Sequence, residues 1–367
     1  MSFKPPHSRG SYALHDRARP QASLERVPWF QALQRRAAER FGRHEGTDGI
    51  LNKIAHSLAA GTAKSYGGHW QRFVLWCEDQ SDQPNPLPAE PETVIRWLET
   101  DVTVGDRVAE QSLQPYLSGI NKIHEDLGYE RPALGILLKS YRKGLARLQG
   151  LKRKPARTYL PPPVVEELLL WALDVDLTNP TASLRRRYRA AVAVVFTFCF
   201  FARGGTGSAL LNKHVRSSAA GTSVTLAHEK GRAGKKTARV IVIPPGAIPG
   251  LEELLQRWTQ LRGCAKDHES FYSLEGERLR PPSTAIDTWL QECLLMLDAS
   301  APDGETWSGH SLRKGAASGA SARGVSLDRI CYVGGWSIQS KAVWDYIDPT
   351  CPDSAAACRF FGWLRPA

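Results

Sequence analysis

The chain lacks the features that mark a zinc-binding, secreted or membrane-spanning protein. None of its seven cysteines forms a Cys-x-x-Cys pair, so a zinc finger or a thioredoxin motif has no support. Several cysteines lie in apolar runs such as Phe198-Cys199-Phe200, which is typical of reduced core residues in an intracellular protein. The first letters, MSFKPPHSRGSY, contain no apolar h-region, so a secretory signal is not expected. The longest strongly apolar run, residues 190–202, is too short to span a bilayer and predicts a buried helix.

Acidic side chains are scarce relative to basic ones. Asp and Glu total 37 against 48 Lys and Arg, which leaves a net charge of +11 at pH 7. A basic balance of this size suggests a polyanionic partner: DNA, RNA or an anionic membrane surface. The remaining composition, 42% apolar and 23% charged over 367 residues, is that of a globular protein long enough for two domains.

Composition divides the chain into four segments. Residues 1–44 are rich in Pro, Arg and Ser, with nine positive against three negative side chains, and predict a flexible basic arm or an uncommitted solvated tail. Residues 45–150 show helical spacing and predict a compact all-α domain of four or five helices. Residues 151–163, LKRKPARTYLPPP, predict a basic Pro-rich linker, which could also be a nuclear localisation signal or a strap along a phosphate backbone.

Residues 164–367 predict a second, mostly helical domain. Two β-branched runs, TSVTLAHEK and ARVIVIP, flank the letters GRAGKKT and predict a β-hairpin with a basic tip. The expected fold class is therefore mainly α (α+β). An all-α N-terminal domain would precede a mostly helical domain with a small antiparallel sheet.

The stretch WSGHSLRKGAASGASARGVSLDRICYVGGWSIQSKAVWDYID holds the residues best placed for chemistry. His310 and Arg313 lie three apart and so share one face of the predicted helix. A Gly-Gly pair permits a tight turn before Trp336, and Tyr346 follows ten residues after that tryptophan. A zinc site is disfavoured, because no second His or Cys lies four residues after His310.

This order of residues resembles the C-terminal signature of the tyrosine recombinases. In that family a His-x-x-Arg motif is followed by His or Trp and then by a nucleophilic tyrosine. The letters FTFCFFARGGTGSALL supply Arg203 in the place of the family's earlier arginine. The letters VTLAHEKGRAGKKTARVIVI supply Lys230 in the place of its hairpin lysine, with Lys235 and Lys236 as alternatives.

The resemblance extends beyond the signature. The helices predicted in residues 45–150 are similar to the family's core-binding domain. Within the family, the C-terminal stretch most resembles the integrases of mobile genetic elements. Two positions depart from the family pattern. Thr206 stands where an acid is common, and the step from Trp336 to Tyr346 is one residue longer than usual.

The resemblance implies a DNA recombinase or integrase that forms a 3′-phosphotyrosyl intermediate and needs no metal, cofactor or ATP. The implied catalytic set combines a nucleophile, a proton acceptor, a proton donor and three phosphate-contacting residues: Tyr346, His310, Lys230, Arg203, Arg313 and Trp336. A free phenol ionises only near pH ~10, so the nucleophile needs such neighbours. Each residue also has a plain structural interpretation, as a core side chain, a helix-end ion pair or a solvated charge.

The implied partner is double-stranded DNA, bound by a homotetramer of two dimers on paired sites, with no membrane association. Such a protein would be nuclear or nucleoid-associated. The apolar tail residues Phe360, Phe361, Trp363 and Leu364 could dock on a neighbouring subunit or on their own domain. Two alternatives remain open: a type IB topoisomerase-like enzyme, which shares the chemistry, and a DNA-binding protein that has kept the fold and lost catalysis.

Overall fold

The computed structural model describes residues 60–150, 156–226, 238–263 and 265–365, together with Gly49 and Lys53. Contacts between Cα atoms divide the chain into two compact units, Met1–Arg153 and Lys154–Ala367. Each unit has its own apolar core. The predicted basic arm and residues 151–155 of the predicted linker lie outside the described residues.

Four α-helices form the described part of the N-terminal unit. They are α1 (Ala60–Asp79), α2 (Pro91–Trp97), α3 (Gln114–Asp126) and α4 (Ile136–Leu148). Shorter turns join them: a π-helix at Leu98–Val102 and 3-10 helices at Val104–Asp106, Glu110–Ser112 and Pro132–Leu134. The core side chains recur at helical spacing, such as Trp70, Phe73 and Cys77 on α1, and therefore meet on one face.

Eight α-helices form most of the described part of the C-terminal unit. They are α5 (Pro162–Asp174), α6 (Ala182–Cys199), α7 (Gly204–Ser208), α8 (Leu251–Arg262), α9 (Ala285–Met296), α10 (Gly309–Ala322), α11 (Leu327–Gly334) and α12 (Ala355–Phe361). Three 3-10 helices accompany them, at Asn212–His214, Lys341–Tyr346 and Gly362–Leu364.

Helix α6 lies at the centre of this unit. Every residue from Tyr188 to Cys199 is buried, and the helix packs against α5, α8, α9 and α10. An all-round apolar surface is what a helix surrounded by other elements requires. Across the described ranges, no helix has both the length and the apolar character needed to cross a membrane.

Two small sheets complete the C-terminal unit. Strands β2 (Val215–Ser218), β3 (Gly221–Leu226) and β4 (Arg239–Ile243) form an antiparallel sheet in the order β2-β3-β4, with Leu226 opposite Arg239. Strand β1 (Ala156–Arg157) pairs in parallel with β5 (Glu305–Thr306). The predicted mainly α fold with a small antiparallel sheet is confirmed.

The C-terminal tail packs within its own unit. Phe360 and Phe361 of α12 are fully buried, and the Phe361 ring lies 5.3 Å from that of Phe201 and 5.4 Å from that of Phe198. An ion pair between Arg359 Nε and Glu166 of α5, at 2.6 Å, fixes the same helix. Of the two placements expected for the tail, this structure contains the one on its own domain.

Candidate active site

His310 and Arg313 project from the first turn of α10. Ser308 caps this helix, because its Oγ accepts from the His310 backbone N–H at 3.3 Å. The Gly309 N–H donates to Asp287 Oδ1 of α9 at 2.7 Å. These contacts satisfy N–H groups that a helix start leaves without partners, and they anchor the turn that carries both side chains.

The Tyr346 hydroxyl meets the His310 imidazole. Tyr346 is the last residue of the 3-10 helix Lys341–Tyr346, and its Oη lies 2.8 Å from His310 Nε2. The two ring centroids are 5.0 Å apart. The step of ten residues from Trp336 therefore brings this hydroxyl to the histidine of the same chain. A phenol and an imidazole nitrogen at this distance can exchange a proton.

The Arg313 guanidinium is completely buried and is held by backbone carbonyls. Its Nη1 donates to the Phe201 carbonyl, and its Nη2 donates to the Gly334 carbonyl at 2.7 Å. Its Cζ lies 3.8 Å from the centre of the Trp336 ring and 5.2 Å from that of Tyr346, which are cation–π distances. These hydrogen bonds and ring contacts fix the guanidinium beside the tyrosine.

Trp336 lies over the arginine because two glycines let the chain fold back. Gly335 ends α11 in the left-handed region at φ 70°. A Cβ on Gly334 would fall 1.8 Å from the Trp336 ring, so only glycine leaves room for the indole. The indole Nε1 is buried and has no hydrogen-bond partner among the described residues, which leaves one donor available at the site.

Arg203 lies four residues after Cys199, the last residue of α6. It is the N-cap of α7, where its carbonyl accepts from the N–H groups of Thr206 and Gly207 at 2.8 Å. Two residues earlier, Phe201 adopts φ 51°, and its carbonyl is the acceptor of Arg313. The two arginines are therefore anchored on one short backbone segment. In the parts of the chain that are described, the half-buried Arg203 guanidinium has no hydrogen-bond or ion-pair partner.

The structure thus gathers four of the six predicted residues around one point and anchors a fifth nearby. Tyr346 contacts His310, Arg313 and Trp336, and Arg313 also contacts Trp336. Lys230, with the alternatives Lys235 and Lys236, lies outside the described residues.

Three further residues fix Tyr346, and the sequence interpretation missed them. The buried Ser318 Oγ donates to the Tyr346 carbonyl at 3.2 Å and accepts from the Asp348 N–H at 2.8 Å. Lys314 Nζ lies 3.1 Å from Asp348 Oδ2. The sequence did contain a signal for two of them. Lys314 and Ser318 follow His310 at intervals of four, so His310, Lys314 and Ser318 lie along one side of α10.

The Asp348 carboxylate stays charged in this setting. Burial by itself would raise the pKa of Asp348, but hydrogen bonds from Thr350 and Lys314 outweigh it and hold that pKa below its ordinary value. The ion pair with Lys314 therefore persists at neutral pH and secures the chain just after the tyrosine.

Metal-ligating side chains are dispersed. Within the described ranges, no three His, Cys, Asp or Glu side chains lie close enough to hold a metal ion. Burial raises the pKa of the Cys199 and Cys293 thiols, which favours the protonated form over the thiolate that binds metals.

Comparison of the sequence with models of protein families and with curated proteins finds no match. Solved structures do match. One is the XerH site-specific recombinase bound to a palindromic difH substrate in a post-cleavage complex, with a TM-score of 0.54 and 13% identity, covering 90% of this chain and 94% of that chain. Another is the Tn1549 transposon integrase in complex with circular intermediate DNA, with a TM-score of 0.51 and 11% identity, covering 90% of this chain and 97% of that chain. At such identities the likeness concerns the fold alone, and at that level it confirms the predicted resemblance.

Proposed function

We propose that this chain, which has the fold of the tyrosine recombinases, is a site-specific DNA recombinase or integrase. It would cleave and rejoin DNA strands through a 3′-phosphotyrosyl intermediate, without metal or ATP. The observation that carries the proposal is the 2.8 Å contact between the Tyr346 hydroxyl and His310 Nε2, beside the buried guanidinium of Arg313. A nucleophile, a base and a fixed positive charge then adjoin one another.

In the cleavage step, the Tyr346 oxygen attacks the phosphorus of a DNA phosphodiester and its proton passes to His310 Nε2. The Oη–P bond forms while the P–O5′ bond breaks, so one phosphate ester replaces another. Because the ester is conserved, a free 5′-hydroxyl can reverse the step without ATP.

The arginines supply positive charge where the transition state gains negative charge on its nonbridging oxygens. The Phe201 and Gly334 carbonyls hold the Arg313 guanidinium in place, and the buried indole N–H of Trp336 adds a donor. In other enzymes, one preorganised donor of this kind is worth roughly 3 kcal/mol, or about a hundredfold in rate. Fixed guanidinium groups can thereby serve where other phosphoryl-transfer enzymes use metal ions.

The leaving 5′-oxygen must receive a proton. We assign this role to Lys230, with Lys235 and Lys236 as alternatives, because all three lie in sequence between strands β3 and β4. An ammonium group at that position would donate its proton as the P–O5′ bond breaks.

Double-stranded DNA is the proposed partner, since the Tn1549 integrase structure is a complex with circular intermediate DNA and the XerH structure is bound to a difH substrate. In the N-terminal unit, exposed Lys139, Lys143 and Arg147 follow one another at intervals of four along α4. Their spacing of roughly 6 Å along the helix suits contacts with successive phosphates. We further propose a homotetramer of two dimers on paired sites, and a nuclear or nucleoid-associated location.

The test is a covalent adduct. The full chain is incubated with nicked duplexes made from the DNA that flanks its own gene, and the products are separated on a denaturing gel. The wild type should form a protein–DNA adduct, with or without EDTA. Tyr346→Phe should form none, while Tyr332→Phe is the matched control, since the Tyr332 side chain is 65% exposed and stands outside the site.

Other outcomes identify the alternatives. An adduct that survives in Tyr346→Phe would assign the nucleophile elsewhere. Relaxation of supercoiled plasmid by the monomer, with no strand exchange between sites, would indicate a type IB topoisomerase-like enzyme. Tight DNA binding without any adduct would indicate a protein of this fold that has lost catalysis.

A further inference from the structure

Arg239 is a buried arginine that no step of the proposed cleavage uses. It is the first residue of β4, opposite Leu226 of β3, and only 5% of it is exposed. Its Nη1 donates to the Tyr332 carbonyl at 3.2 Å and also to the Val333 carbonyl. The side chain therefore connects the sheet with the last turn of α11.

The last turn of a helix leaves carbonyls without intrahelical partners, at the negative end of the helix dipole. Arg239 donates to two carbonyls of this turn, Tyr332 O and Val333 O, and the next one along, Gly334 O, accepts from Arg313 at 2.7 Å. Two buried arginines from different elements thus share three consecutive carbonyls. Any movement of this turn changes the position of an acceptor of Arg313.

The turn needs external support, because two glycines weaken its intrinsic preference. Gly335 is left-handed at φ 70°, and Gly334 leaves room for the Trp336 ring. Glycine has the largest conformational freedom to lose, so such a turn is ordered mainly by its contacts. Removal of Arg239 would take its donor away from the Val333 carbonyl and release the turn.

We propose that Arg239 is a positioning residue for DNA cleavage. It holds the end of α11 so that Gly334 meets Arg313 and the Trp336 indole lies over the guanidinium. This inference rests on the proposed function, and it assigns to Arg239 an effect on the phosphate clamp formed by Arg313 and Trp336.

The kinetic test measures adduct formation on nicked duplex at saturating DNA. Arg239→Met should slow it by about 10²-fold, the usual effect of a shift of about 1 Å in a reacting group. Arg239→Lys keeps the charge but loses the planar guanidinium with its several N–H donors, so it should cleave faster than Arg239→Met and slower than the wild type. The control is Arg216→Met on β2 of the same sheet, an exposed arginine 3.2 Å from Asp267, which should cleave at the wild-type rate.

A second substrate distinguishes a defect in the phosphate clamp formed by Arg313 and Trp336 from a defect in the proton donor. A duplex with sulfur in place of the bridging 5′-oxygen releases a thiolate, which needs no proton because thiols ionise near pH ~8.5. Arg239→Met should remain slow on this substrate. Wild-type cleavage by Arg239→Met, or a deficit that vanishes with sulfur, would overturn the proposal.

Hydrogen exchange tests the positioning without any reaction. The Gly335 and Trp336 amides donate to the Tyr332 and Cys331 carbonyls, at 3.3 and 3.0 Å. Both should exchange faster in Arg239→Met, while the Val325 amide at the end of α10 should not change. Unchanged exchange at Gly335 and Trp336 would refute the role of Arg239.

The adduct assay and the hydrogen-exchange measurement distinguish a failure of the proposed function from a failure of the positioning role. If the wild type forms no adduct but exchange at the turn accelerates, the recombinase function is wrong and the positioning role stands. If Arg239→Met does not fold, Arg239→Lys takes its place in both tests, with a smaller expected loss of about tenfold.

Discussion

Arginines in the N-terminal unit and around the candidate site are held by different kinds of group. In the N-terminal unit, four arginines pair with carboxylates: Arg72 with Asp101, Arg96 with Asp82, Arg131 with Glu125 and Arg142 with Glu110. At the candidate site, Arg313 and Arg239 donate to the main-chain carbonyls of Phe201, Tyr332, Val333 and Gly334.

The difference decides what each arginine can do. A carboxylate partner cancels the charge of the guanidinium, so the pair fixes the local structure and offers little to an incoming anion. A carbonyl satisfies a donor without adding a negative charge to the arginine's surroundings. We therefore expect the four pairs of the N-terminal unit to be structural, and the carbonyl-held Arg313 to serve the proposed phosphate site.

The largest expected effect comes from Arg313→Gln. Adduct formation on nicked DNA should fall by about 10²–10³-fold, because a preorganised positive donor is lost at the transition state. The free energy of unfolding should fall by about 1–3 kcal/mol, because two buried carbonyls lose their partner. Single-turnover gels and urea unfolding measure the two quantities.

The matched control is Arg72→Gln in the N-terminal unit, which breaks the pair with Asp101 at 2.7 Å. It should cleave saturating DNA at the wild-type rate and cost at most about 1 kcal/mol of stability. Equal losses of cleavage in both variants would abolish the distinction between the two kinds of arginine.

Gly334→Ala should produce the next largest effect. A Cβ there would lie 1.8 Å from the Trp336 ring, so the indole must leave the face of Arg313. Cleavage should drop by about tenfold or more. Gly68→Ala, at a helical glycine of α1 with nothing within 4 Å of an added Cβ, is the control for the added methyl group alone. A variant at Gly334 that cleaves normally would show that Trp336 is only a core residue.

A smaller effect is expected of pH on the stability of the N-terminal unit. Buried His124 accepts from the Ala89 N–H at Nε2 and donates to the Ile120 carbonyl from Nδ1, both at 2.9 Å, so both contacts need the neutral ring. Burial lowers the pKa of His124. The unfolded chain therefore takes up a proton below pH ~6.5 before the folded chain does, and stability falls as pH decreases through that range.

Urea unfolding between pH 5 and 8, chosen to bracket that pKa of ~6.5, measures this dependence. His124→Gln should be less stable at pH 8 by about 1–2 kcal/mol and should lose much of the pH dependence. If the variant keeps the full wild-type slope, the titration belongs to other groups, such as His69, whose pKa is also lowered by burial.

The smallest effect is predicted for Arg96→Gln. The pair between Arg96 and Asp82 is exposed at both ends, so solvent screens it and the melting temperature should not change measurably. A clear drop in melting temperature would mean that the exposed ion pairs of this unit contribute more to stability than solvent screening allows.

Much of the fold could be predicted because local patterns agree with it. The apolar run of residues 190–202 became the buried end of α6, and the β-branched runs became β3 and β4. The strand β2 was missed, since its four residues are mostly exposed and alternate too briefly to give a signal. Helix α12 was described only as an apolar tail, because nothing local says which surface covers Phe360 and Phe361.

Some residues of the candidate site could also be predicted from local sequence patterns, and others could not. The spacing of His310 and Arg313 sufficed to put both on one face, since a helix brings residues three apart together. The role of Arg239 had no signal of that kind. Its partners, the carbonyls of Tyr332 and Val333, lie more than ninety positions away and are main-chain atoms that every residue possesses.

The sequence by itself therefore determined most of the elements, the mainly α class and the candidate site residues, because these depend on periodicity and on chemical type. Only the tertiary structure decided how the charges are held. Whether an arginine meets a carboxylate, as Arg72 does, or carbonyls, as Arg313 does, depends on which backbone turns approach it. That approach is set by the packing of distant elements, and it separates an ion pair with a carboxylate from a guanidinium held by main-chain carbonyls.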